Sequence, residues 1–174
     1  MIICVTGFAG CGKNVVSDVV AQRLGIGRVK LSFKDIAKDM GISLMDVQQR
    51  ADKDPSIDRE FDNRVSDAAH KGDCVVSTWL GPWLIRDASM RVWLDAGEEV
   101  RARRISNRDK ITYIDALKHV KARDENNRKR YFALYGINID DHSAFDLIIN
   151  TEIYRPEQSA GIIIAALKEK KVIQ

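Results

Sequence analysis

Gly7-Phe8-Ala9-Gly10-Cys11-Gly12-Lys13-Asn14 is the stretch on which the fold turns. The apolar run Ile2-Ile3-Cys4-Val5 stands directly behind it, and a helix-like segment, Asn14 to Leu24, directly ahead. Strand, glycine loop, helix is the context in which backbone N–H groups cradle phosphate. The spacing Gly-x4-Gly-Lys is met by Gly7, Gly12 and Lys13. Glycine removes the Cβ clash and permits positive φ. The helix N-terminus adds partial positive charge, and Lys13 supplies a point charge for β- and γ-phosphates. Residues 7–14 are therefore predicted to bind a nucleotide phosphate. The position after the lysine departs from the pattern: the Ser or Thr hydroxyl that coordinates Mg²⁺ is replaced by Asn14. A carboxamide oxygen is a bulkier neutral ligand, and Ser17 lies nearly a helical turn further on. Either the metal is held differently, through Asn14 as a weak ligand or through water, or phosphoryl transfer is slow or absent.

The whole chain bounds the rest. Its 174 residues suit one domain with a real core, and 45% hydrophobic with 30% charged residues is ordinary for a globular protein. No apolar run approaches the roughly 20 residues that span a membrane. Residues 2–5 are too short for a signal peptide, so a cytoplasmic protein is expected. Cys4, Cys11 and Cys74 have no disulfide or metal spacing and read as reduced thiols. The net charge of +3 is uneven: residues 101–130 hold eleven Lys/Arg against four Asp/Glu. That concentration reads as a solvated helical face or as a local field for a polyanionic nucleotide. No nucleic-acid motif or aromatic platform accompanies it.

In order, strands are predicted at Ile2–Val5, Val29–Ser32, Cys74–Ser77, Arg91–Leu94 and from Ala144 or Phe145 to Ile149. Helices are predicted at Lys13–Leu24, Phe33–Met40, from the capping box Ser43–Asp46 to about Asp52, and over Ser56–Lys71. Further helices are predicted from Asp95 to about Asn107, from the capping box Thr112–Asp115 to Tyr135, and from Pro156 to about Lys170. Residues 78–83 and 108–111 read as irregular. Strands alternating with helices mean a parallel α/β sheet, whose ligands lie outside the carboxyl ends of the strands.

Several polar residues recur at helical spacing. Arg104 and Arg108 lie four apart, and Arg123 and Arg130 seven apart, so each pair shares a face. Arg101, Arg103, Arg128 and Lys129 read as solvated helix surface. Asp58 and Asp62, also four apart, either face one ligand or are solvated carboxylates near Arg59 and Arg64. Trp79 and Trp83 are read as core packing in preference to stacking on a base. His70, His119 and His142 are scattered and are read as neither ligands nor bases.

The chain resembles the archaeal-type cytidylate kinases, within the P-loop nucleoside monophosphate kinases. The resemblance is densest at the glycine loop, at Asp54-Pro55-Ser56-Ile57-Asp58-Arg59-Glu60-Phe61-Asp62, and at Arg130-Tyr131-Phe132-Ala133-Leu134-Tyr135-Gly136-Ile137-Asn138-Ile139-Asp140-Asp141. It continues through Phe145-Asp146-Leu147-Ile148-Ile149-Asn150-Thr151. It implies a three-layer P-loop NTPase fold with a parallel five-stranded sheet. It also implies a single domain over residues 1–174, with an acceptor-binding segment at about 33–71 and a lid at about 104–112. The implied reaction moves the ATP γ-phosphate, or that of another NTP, to CMP or dCMP with Mg²⁺. Lys13, Arg104, Arg108, Arg123 and Arg130 are the implied catalytic cations. Asp35, Asp58, Asp62, Asn127, Arg123 and Arg130 are implied on the acceptor. A monomer is implied, with no nucleic-acid or membrane partner.

The chain departs from the resemblance on the acceptor side. Ser32-Phe33-Lys34-Asp35-Ile36 has Lys34 where the family has glycine, and a following arginine segment is missing. Lys34 or Lys38 is the candidate replacement charge. Ser77-Thr78-Trp79 stands where the family has Glu-Gly-Arg, and Asn127 replaces an acid. Two other expectations follow: a related kinase for a different small acceptor, and a nucleotide-binding protein with little or no kinase activity.

Overall fold

The structure, a computed structural model, describes residues 1–174 apart from Asp52; the side chains of Lys34, Leu44 and Gln48 are also outside the described set. The expected helix end at Asp52 and the reading of Lys34 as an acceptor-side charge therefore lie outside the described residues.

The elements in chain order are β1 (Ile2–Thr6), α1 (Lys13–Leu24), β2 (Gly27–Val29), α2 (Phe33–Met40), α3 (Leu44–Ala51), α4 (Ser56–Ala69) and β3 (Cys74–Val76). They continue as α5 (Gly81–Leu84), β4 (Met90–Asp95), α6 (Glu98–Asp109), α7 (Tyr113–Tyr135), β5 (Leu147–Asn150) and α8 (Pro156–Glu169). The five strands form one parallel sheet in the order β2-β3-β1-β4-β5.

β1 is central and buried along its length because successive side chains enter opposite layers. Ile3 and Val5 pack with Val16 and Val20 of α1 and with Ala160, Ile163 and Leu167 of α8. Ile2 and Cys4 pack on the other face with Val65 and Ala69 of α4, Val76 of β3 and Ile85. Two smaller clusters complete the molecule: Ile36, Ala37, Val47, Ala51 and Ile57 join α2, α3 and α4, and Ala102, Ile105, Ala116 and Val120 join α6 and α7 to Ala9 of the loop.

Several boundaries differ from the sequence expectation. The second strand is Gly27–Val29, displaced toward the N-terminus, because Gly27 and Val29 pair with Cys74 and Val76. Residues 78–83 are not irregular throughout: Gly81–Leu84 form a short helix with proline in its first turn. Asp95 ends β4 by pairing with Asn150 and does not start a helix; α6 begins after Gly97 and runs on to Asp109. The last strand starts at Leu147, two residues after Phe145, which packs instead on Trp83 and Trp93. The Thr112 cap is as expected: its Oγ1 accepts from Asp115 N at 3.1 Å.

Candidate active site

The loop after β1 lies at the carboxyl edge of the sheet, where its glycines are demanded by geometry. Gly7 has φ +148°, and a Cβ there would stand 2.3 Å from the Leu94 carbonyl oxygen. Gly10 has φ +85°, and a Cβ there would meet the Arg101 carbonyl oxygen at 2.8 Å. Gly12, in the left-handed region, precedes α1, whose first turn has no side-chain cap and no acidic residue. The N–H groups that open α1 are thus free of competing carboxylates, which is the electrostatic requirement for an anion site.

Lys13 folds back over this loop. Its Nζ donates to the Gly7 carbonyl at 3.2 Å and lies 4.9 Å from the Trp79 ring centroid. Burial lowers its pKa below the ordinary lysine value, and the charges of Arg123 and Arg101 act in the same direction. An anionic phosphate would relieve both effects. Trp79 is half-buried against Phe8 and Tyr131; it packs beside the loop lysine rather than in the sheet core.

Arg101, expected as solvated surface, is only 3% exposed. Its guanidinium donates to the carbonyls of Ala96 at 2.9 Å and Ala9 at 3.1 Å, and pairs with the fully buried Asp124 at 2.7 Å. A guanidinium can be buried there because a carboxylate and two carbonyls satisfy it. Arg101 thus ties the glycine loop to α6 and α7. Arg128, also expected as surface, pairs with Asp140 at 2.8 Å, and both Arg101 and Arg128 lie over the Phe8 ring.

The four predicted catalytic arginines do not form one cluster. Arg104 donates to Thr151 at 2.6 and 3.0 Å and to the Cys11 carbonyl at 3.4 Å, so it braces the loop from behind. Thr151 Oγ1 itself donates to the Cys11 carbonyl at 2.9 Å. Arg108, at the end of α6, turns outward onto Asp109 at 2.7 Å. Arg123 is exposed and forms no ion pair among the described residues, and its charge acts on Lys13. Arg130 makes a bidentate pair with Asp58 at 2.7 and 3.2 Å, the Asp58 side chain being 7% exposed.

Asp58 and Asp62 are therefore not solvated carboxylates near Arg59 and Arg64. Asp62 accepts from the Tyr135 hydroxyl at 2.6 Å, and burial pushes its pKa up to about 6. Arg64 instead pairs with Asp39 and Glu60. Asn127 is buried on the α7 face that also carries Arg123 and Arg130, and its Nδ2 has no partner among the described residues. Asp35 takes the Ser32 N–H at 2.7 Å and its hydroxyl at 2.9 Å, capping the turn into α2. Those bonds hold its carboxyl below the usual range.

Asn14 has little to offer a metal as it stands. Its Oδ1 accepts from Ser77 Oγ and from Arg28 Nη2, both at 3.0 Å. Among the described residues, no group of three or more His, Cys, Asp or Glu side chains is arranged to hold a metal ion. Sequence reasoning missed both Arg101 and Arg28. The spacing of Arg101 with Ile105, one turn apart on the buried α6 face, could have flagged the first; nothing local to β2 points Arg28 at Asn14.

The model of the cytidylate kinase-like family matches residues 2–153. A cytidylate kinase of Pyrococcus horikoshii is 40% identical over 169 residues, covering 96% of this chain and 88% of that protein. A cytidylate kinase of Pyrobaculum islandicum is 39% identical over 154 residues, covering 87% and 84%. Among solved structures, an uncharacterized protein from Eubacterium ventriosum superposes with TM-score 0.73 at 17% identity, over 97% of this chain and 98% of that one. Shikimate kinase from Aquifex aeolicus gives 0.62 at 21% identity over 99% of each chain. Both structural likenesses speak to the fold alone.

Proposed function

The chain belongs to the cytidylate kinase-like family, and from that premise we propose that it transfers the γ-phosphoryl group of ATP to CMP or dCMP, giving CDP or dCDP. The observation that carries the proposal is the meeting of the donor loop with α7 at Trp79: Lys13, beside an uncapped helix N-terminus, lies 4.9 Å from that ring, and Tyr131 of α7, the helix that bears Arg123, Asn127 and Arg130, packs on the same ring at 6.2 Å. Donor phosphates held at that helix end would stand beside an acceptor bound against α7.

The loop amides of residues 7–14 and Lys13 hold the β- and γ-phosphates. Arg123, exposed on α7 and in no ion pair among the described residues, stabilises the transferring group. Arg130, oriented by Asp58, faces the acceptor phosphate. Asp62 accepts hydrogen bonds from the acceptor's amino group or ribose, and Asn127 Nδ2 supplies a donor there that has no partner among the described residues. Arg104 keeps the loop in place, while Arg108 reaches the phosphates only when it leaves Asp109 as the lid at about 104–112 closes and excludes water. An acceptor phosphate oxygen forms the new P–O bond to the γ-phosphorus. The bond between that phosphorus and the β,γ-bridging oxygen breaks, and its electron pair leaves with ADP. The acceptor oxygen is already ionised, so no base must remove a proton.

Mg²⁺ is implied by the reaction class and would be sought at Asn14. The residues there do not fit it: both lone-pair directions of the carboxamide oxygen accept hydrogen bonds, and one donor is a guanidinium.

The test is ADP release from ATP with CMP, dCMP, UMP, AMP and small alcohols in turn. Turnover with CMP or dCMP well above the others supports the proposal. Turnover with another acceptor alone, or none while ATP binds, overturns it.

A further inference from the structure

Arg28 is a cation beside the donor loop that the transfer reaction leaves unexplained. It sits on the edge strand β2, yet its guanidinium crosses to α1. Nη2 donates to Asn14 Oδ1 at 3.0 Å and Nη1 to Asp18 Oδ1 at 2.5 Å. Asn14 and Asp18 are four apart, so they offer two oxygens from one face of α1, and the guanidinium bridges them. The Arg28 side chain is 11% exposed, and its buried Nε has no partner among the described residues.

We propose that Arg28 is a built-in counter-cation for the donor triphosphate, taking over charge that a divalent ion would bring at Asn14. The proposal rests on the reading of residues 7–14 as a triphosphate site.

Three features support it. First, the position is right: Asn14 immediately follows Lys13, so the guanidinium held on its side chain stands at the α1 N-terminus, where the phosphates would lie. Second, the guanidinium keeps donors in reserve. It has five N–H groups, and the bonds to Asn14 and Asp18 use one on each terminal nitrogen, leaving a second N–H on each. Third, a metal ion competes poorly here. It would have to displace two donors from Asn14 Oδ1, at a position where Arg28 repels it at short range. Lys30, whose Nζ is 3.7 Å from Asp18, adds to that repulsion. Asp18 offsets one of these charges and fixes the guanidinium's orientation. Ser77 Oγ donates to the same Asn14 Oδ1, so the residue that follows β3 buttresses the arrangement.

The consequence is unusual nucleotide affinity: ATP should bind almost as well without divalent metal as with it. Calorimetric titration of ATP into the full chain, once with Mg²⁺ and once with EDTA, gives the two dissociation constants. The expected ratio is within about threefold for the wild type. In Arg28→Gln it should reach tenfold or more, the scale of one lost charge-assisted hydrogen bond. Arg28→Lys, which keeps the charge but loses the fork, should fall between them and serves as the decisive variant if Arg28→Gln does not fold. Circular dichroism checks folding of both. A wild-type chain that loses ATP tenfold or more on metal removal overturns the proposal. So does an Arg28→Gln chain weakened equally under both conditions, which would mark a structural role. Absence of ATP binding in either buffer overturns the triphosphate site itself, whereas metal-independent binding without CMP turnover leaves this inference standing and overturns the kinase reading.

Discussion

Arg101→Met is the substitution that best separates the fold's electrostatics from the site's. It removes the partner of a carboxylate with no exposure to solvent and strips donors from the Ala9 and Ala96 carbonyls. Leaving one member of a buried pair uncompensated costs about 3–5 kcal/mol. For a domain of this size each kcal/mol moves the thermal midpoint by about 2–4 °C, so a fall of roughly 6–20 °C is expected. Adding Asp124→Leu to that variant removes the orphaned charge and should recover part of the loss, since an apolar pair of similar volume tolerates burial. ATP affinity should recover in neither variant, because the Ala9 carbonyl, inside the glycine loop, still lacks its donor. Thermal unfolding followed by circular dichroism, with ATP titration at a temperature where all variants are folded, reads both effects. A midpoint shift below about 2 °C for Arg101→Met, or a double variant worse than the single, would refute the buried-pair reasoning.

Gly10→Ala places a Cβ at φ +85° against backbone, and should cost about 1–3 kcal/mol by thermal unfolding while reducing ATP affinity at least tenfold. Lys13→Met removes a desolvated charge, so stability should hold or rise while ATP affinity falls about tenfold or more, seen by calorimetry. Asp62→Asn tests a linkage whose sign is set by a folded pKa of about 6 against an ordinary 3.8. The folded state binds the extra proton between those values, so Asp62 progressively costs stability as pH rises through that window, and the cost is constant above it. The midpoint of Asp62→Asn relative to wild type should therefore climb from about pH 4 to pH 6 and then level off; a difference independent of pH would contradict it.

Much of this molecule is legible from punctuation. The bounds of α1 follow from Gly12 and Gly25, and the long α7 from the Thr112 cap and Gly136, because these residues fix backbone conformations locally. The apolar β1 announces a strand covered on both faces for the same local reason. The roles of the arginines are not local. Eleven basic residues between 101 and 130 look alike in sequence, yet Arg101 is buried, Arg104 braces Thr151, Arg108 faces solvent and Arg130 is paired. Three of these fates depend on a partner distant in sequence, Asp124, Thr151 or Asp58, whereas Arg108 turns onto its neighbour Asp109. Helical periodicity carries part of the signal, since Arg101 repeats with Ile105, and Asp124 with Val120 and Asn127, on buried faces. Arg28 carries none, because its partners lie on a helix reached across the end of β3.

Phosphorus NMR of ATP and CMP incubated with the full chain tests the central claim most directly. The account predicts that CDP and ADP resonances grow together in equal amounts as ATP and CMP fall. ADP and inorganic phosphate accumulating without CDP, or spectra unchanged at a protein concentration that binds ATP, would contradict it.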